Sequence, residues 1–136
     1  MSLKFVHEFH LRIYKTLTSN RELRTKVDKI YLASTQETKY PFLLIKIVSV
    51  KNLSKPNFGI YEVHFEISAF ARDKTQGILM SLADSINQAL IFKDEDLEEY
   101  IIAGLNLTNV EFTQGQDLIT TKLNIEYKTL LKQKEV

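Results

Sequence analysis

The residues best placed to do chemistry in this chain are a histidine flanked at two-residue spacing by carboxylates: Glu62, His64 and Glu66. On an extended strand, residues two apart share a face, so both carboxylates stand beside the imidazole. Neighbours of that kind raise a histidine's pKa and orient its ring, as general acid–base work requires. A solvent-facing strand of mixed polarity carries the same pattern without any catalytic use. His7 and His10 fall three apart on one helix face. Two imidazoles do not complete a metal site, and the spacing is not that of a His-Glu-x-x-His helix. Asp94, Glu95 and Asp96, followed by Glu98 and Glu99, offer oxygen ligands but lack the glycine and ligand spacing of an EF-hand loop. A solvated turn is the expectation there. Arg12, Lys15, Arg21, Arg24 and Lys26 lack the interleaved aromatics of a nucleic-acid platform.

No other recognisable catalytic or cofactor motif occurs in the sequence. The glycines at 59, 77, 104 and 115 form no phosphate cradle, and neither a nucleophile elbow nor a P-loop occurs. The absence of cysteine removes disulfides, thiolate zinc sites and thiol catalysis together. No enzyme activity, cofactor or metal is expected. No apolar run approaches the ~18 residues of a membrane span, and the start, Met1 to Glu8, has no signal-peptide character. A soluble, unprocessed chain is the expectation.

The 136 residues carry a net charge of +1, which favours neither nucleic acid nor an anionic membrane. The distribution is uneven. Residues 1–60 hold 11 Lys/Arg against 4 Asp/Glu, and residues 61–136 hold 7 against 13, giving +7 and −6. Opposite charge on two halves of a domain guides head-to-tail association, provided that the halves stay apart in space. If they interleave on the folded surface, they cancel.

The elements that must position these groups are read from periodicity. Phe5, Phe9, Ile13 and Leu17 recur every four residues, one buried face of a helix over about 2–18. Ser19 or Asn20 can cap a short helix over 21–26, and a short strand follows at 29–33. Residues 42–50 are apolar on both parities, which predicts a central strand buried on both faces. A turn region over 51–59 joins it to the alternating strand 60–71 as a hairpin. A helix over about 74–91 with Asp73 as N-cap, a strand at 105–113, a turn at 114–117 and a strand at 119–129 complete the order. Residues 132–136 are expected to fray. The expected fold is α+β: a single domain over 1–136, with a mixed, mainly antiparallel sheet of about five strands and two main helices on one face.

Certain phrases of this order carry a resemblance. They are Lys29-Ile30-Tyr31, Tyr40-Pro41-Phe42-Leu43-Leu44-Ile45, the hairpin turning near Gly59, Ser68-Ala69-Phe70-Ala71-Arg72, Leu82-Ala83-Asp84-Ser85-Ile86, and two final strands separated by Gly115. Over about residues 5–130 the chain resembles the small tail-completion proteins of tailed phages, prophages and gene transfer agents, a group similar to the lambda-type tail terminator. The resemblance implies a structural virion protein at the tail end, assembled in the bacterial cytoplasm. It implies self-association into a ring, usually of six subunits, that caps the tail tube, stops its polymerisation and meets the head's connector proteins. It implies no catalytic residues, membrane or sequence-specific nucleic acid.

Repeated heterologous contacts close a ring, and exposed β-edges or hairpin loops are their usual means. The first docking candidate is the 51–59 loop with Leu53, Lys55 and Phe58. The polar face of Glu62, His64 and Glu66 is a second, and Asp94, Glu95 and Asp96 a third. Two other readings compete: a head-side joining or minor tail protein, and a small ligand-binding domain that uses the Glu62–His64–Glu66 face as a pocket wall.

Overall fold

The computed structural model describes residues 3–32, 39–53, 59–72, 77–90 and 97–134. Helix α1 runs Lys4–Thr18 and buries Phe5, Phe9, Ile13 and Leu17, the four-residue stripe of the sequence. Asn20 then caps helix α2 (Arg21–Lys26), its Oδ1 accepting the Leu23 N–H at 3.0 Å. That bond satisfies one of the donors a helix start leaves open. The strands are β1 (Lys29–Tyr31), β2 (Phe42–Asn52), β3 (Ile60–Arg72), β4 (Tyr100–Gln114) and β5 (Thr120–Gln133), with helix α3 (Gly77–Ala89) between β3 and β4.

They form one five-stranded sheet in the order β1-β2-β3-β5-β4. The β1–β2 pair is parallel and the other three are antiparallel, so the mixed, mainly antiparallel α+β fold is as expected. Both main helices lie on one face. On β3, the alternate residues Tyr61, Val63, Phe65, Ile67, Ala69 and Ala71 turn toward them and are buried. Phe9 of α1 meets Phe65 edge-on with centroids 5.5 Å apart, and Phe65 stacks on Tyr127 of β5 at 5.2 Å. Leu79, Leu82 and Ile86 of α3 join the same cluster. The Tyr127 phenol donates to Asn87 Oδ1 at 3.3 Å, and burial pushes its pKa well above the ordinary phenol range.

Several sequence expectations change here. Strand β2 is buried at Leu43 and Ile45 only; Phe42, Leu44 and Ile47 are half-buried, and Lys46, Val48 and Ser49 are exposed. The physical reason is that β1 pairs with β2 only from Phe42 to Leu44, and the helices cover one face. Among the described residues the rest of β2 has no strand on its outer side. Strand β4 begins at Tyr100 rather than 105, and β1 ends at Tyr31 rather than 33. Strand β5 runs on to Gln133, which pairs with Tyr100, and the Lys134 N–H donates to Glu99 O at 2.8 Å. The fraying expected from 132 is therefore replaced by pairing up to 134. Asp73, expected to cap α3, lies outside the described residues.

Candidate functional site

The alternation of β3 sends Glu62, His64 and Glu66 to the face without helices, as the sequence required. His64 Nε2 lies 2.8 Å from Glu62 Oε1, and this bond holds the Glu62 carboxyl below its usual range. Glu66 turns instead to β5, its Oε2 accepting from Asn124 Nδ2 at 2.9 Å, while Ser68 Oγ donates to Asn124 Oδ1 at 2.7 Å. The triplet is thus divided between two hydrogen-bonding networks. It stands on an open strand face, with the His64 side chain 40% exposed. Two clefts of about 340 and 470 Å³ lie elsewhere, one along α1 and Tyr100, the other between α1, α2 and β1. Neither is lined by these three residues.

The other candidates separate as well. His10 Nε2 sits 2.9 Å from Ile45 O and ties α1 to β2, while His7 is exposed beside the first cleft. Lys26 is spent within the fold, bonding to Glu22 at 3.0 Å and to Ser81 and Ser85 of α3 at 2.9 and 2.7 Å. Among the described residues no cluster of three or more His, Asp or Glu could hold a metal. Leu53, at the mouth of the 51–59 loop, is 47% exposed. Lys55, Phe58, Asp94, Glu95 and Asp96 lie outside the described residues.

What the sequence missed is the open edge of strand β4 and the apolar surface of the turn after it. Among the described residues β4 has a partner on one side only, β5, and its outer side is a sheet edge fifteen residues long. Cross-strand register puts Leu107, Val110 and Phe112 opposite the buried Tyr127, Ile125 and Leu123, on the helix-bearing face. Phe112 packs at the margin of the core, but Leu107 and Val110 are left open. Leu107 is 48% and Val110 37% exposed. Two β-bulges, between Ala103 and Leu105 and between Leu107 and Asn109, shift the parity along the strand. That shift hid the apolar stripe from an alternation test.

The β4–β5 turn continues this surface on a rigid support. Gly115 N–H donates to Thr120 O at 2.7 Å, and Leu118 N–H to Gly115 O at 3.1 Å. The Asp117 carboxylate accepts from the N–H groups of Ile119 and Thr120 at 3.0 and 2.8 Å and from the Thr120 hydroxyl at 2.6 Å. Those bonds, led by the Thr120 hydroxyl, lower its pKa to about 2. Leu118 is held at φ 61°, a left-handed conformation costly for a branched side chain, and is the most exposed large hydrophobic among the described residues at 74%. Two adjacent apolar residues, Leu118 and Ile119, directly after a Gly-Gln-Asp turn were the sequence signal available.

The fold and its surfaces define a class: a small α+β protein whose distinctive surfaces, among the described residues, are sheet edges and apolar turn residues. The tail completion protein gp17 family matches residues 12–132, and the chain belongs to that family of structural phage tail proteins. Two solved structures share its fold. One is a chain of the virion of a native gene transfer agent particle, at 15% identity and a TM-score of 0.75, covering 88% of this chain and 91% of that one. The other is the bacteriophage SPP1 gp17 protein, at 18% identity and a TM-score of 0.62, covering 93% and 91%. No curated protein sequence shows a significant match.

Proposed function

We propose that this tail-completion protein works as a ring subunit at the end of the tail tube, where it stops polymerisation and presents the surface that the head's connector meets. Membership of the tail completion family over residues 12–132 carries this reading. The long open edge of β4 and the exposed outer edge of β2 support it, because a ring of heterologous contacts needs two different surfaces on each copy. The neighbouring virion structure has the same fold, and six copies is the expected number by resemblance. The chain contributes contacts to assembly rather than a reaction.

The 51–59 loop, headed by Leu53, is the proposed contact to tube or connector. Removing residues 53–58 should leave the circular dichroism spectrum and unfolding midpoint nearly unchanged. It should also abolish co-sedimentation with purified tail tubes. Retained co-sedimentation excludes the loop. Tubes incubated with the intact protein should stop elongating and show an added ring at one end by negative stain. Binding to purified heads in the absence of tails would favour a head-side joining protein instead.

A further inference from the structure

At its two edges the sheet order turns the charge asymmetry of the sequence into an asymmetry in space. Strands β1 and β2, drawn from the first 60 residues, form one edge; β5 and β4, drawn from the rest, form the other. Among the described residues, the chain up to 60 holds ten basic against three acidic side chains, and the chain after it five against eight. At the edges the contrast is sharper. The outer strip of β1 and β2 carries the exposed Lys29, Lys46 and Lys51. Along β4, Glu111 is the only charged residue from Tyr100 to Gln114, and Glu98 and Glu99 lead into it.

An open edge of this length is normally guarded by lysine, proline or a covering element, because its backbone groups template pairing with another chain. Strand β4 has none of these residues and shows Leu107 and Val110 to solvent. The β2 edge shows Val48, 53% exposed. The two edges also match in direction. Strand β4 is antiparallel to β5, β5 to β3, and β3 to β2, so β4 and β2 themselves run in opposite senses. A second copy set beside the first without being turned over therefore brings its β2 edge antiparallel to β4 and keeps its helices on the same side.

We infer that the outer edge of β4, with Leu107, Val110 and Glu111, docks on the β1–β2 edge of a second copy of this chain. Lys29 and Lys46 of that copy then face Glu111. Height in the sheet supports the pairing. Ser49, His64, Lys128 and Asn106 form one cross-sheet row, as do Leu44, Ser68, Asn124 and Glu111, with Tyr31 of β1 beside Leu44. Rotation about an axis along the strands preserves height, so Ser49 of one copy meets Asn106 of the next, and Glu111 falls between the levels of Lys29 and Lys46. This inference rests on the ring reading and names its contact.

The absence of cysteine makes the test direct. Ser49→Cys and Asn106→Cys replace exposed residues on the helix-free face and are made as separate full-length proteins. Side chains directly opposite on paired strands lie about 5 Å apart, within reach of disulfide closure after small adjustments. Oxidation at low salt should link the mixture at least tenfold more than either protein alone, and the double variant should give a ladder. Asn109→Cys, the next position on that face of β4, covers a one-step slip. Linking by either variant alone to the same extent would mean face-to-face pairing of like edges and overturn the inference. Ring-sized species by light scattering with no linking at either β4 position would overturn this edge and leave the ring reading standing. A monomer at every concentration without linking would overturn both.

Discussion

Asp117 shows how one carboxylate fixes a surface. With three donors on its oxygens, its folded pKa lies near 2, below the ordinary 3.8. A depressed pKa means that the ionised form is favoured by folding, so the contribution is complete above the ordinary value and is lost as pH falls from about 4 toward 2. The Thr120 amide resonance should titrate with a midpoint near 2, and Asp117→Asn should abolish that response. A midpoint near 3.8 would show that the turn's bonds are not formed in solution. His64 illustrates the opposite case. Its spacing to Glu62 and Glu66 was legible, yet Asn124 takes Glu66 away, and Asn124 lies 58 residues downstream. Nothing local in the sequence announces that competitor.

The elements divide by how much of their burial is set locally. Helix α1 and strand β3 were legible nearly to the residue, because each packs one continuous face and periodicity records a face directly. Phe65, 1% exposed between Phe9 and Tyr127, is where those faces meet. Phe65→Ala should cost about 3–5 kcal/mol in denaturant unfolding, the usual range for emptying such a site. A loss below about 1 kcal/mol would mean that this aromatic stack is not formed. Strand β4 was only half legible, since its bulges break the parity on which the reading depends. Strand β2 misled for a different reason: apolar residues on both parities suggested burial on both faces, whereas they stand at an edge with helices on one side.

At the scale of the whole molecule, association driven by Lys29 and Lys46 against Glu111 should weaken with salt. The Debye length shrinks from about 10 Å at 0.1 M to about 3 Å at 1 M, which screens exposed pairs. The concentration for half-assembly, followed by light scattering, should rise several-fold over that range. Glu111→Lys should raise it at low salt and flatten the salt response. Assembly that strengthens with salt would assign the contact to apolar burial alone. The exposed Leu118 and Ile119 on their rigid turn would then be the first residues to replace.

The sequence by itself determined the order of the elements, the α+β class, the buried stripes of α1 and β3 and the lack of a recognisable catalytic motif, because these follow from local spacing and residue type. It also carried the family's phrases and the +7 and −6 charge halves. Whether those halves would separate or interleave was open. Strand order decided it for the sheet edges, by placing β1 and β2 at one edge and β4 at the other. Strand order depends on which long-range pairings bury the most apolar surface together, a property of the whole sheet. The same is true of the unpaired length of β2 and of the exposed stripe of β4, which exist only because no other described strand lies beside them.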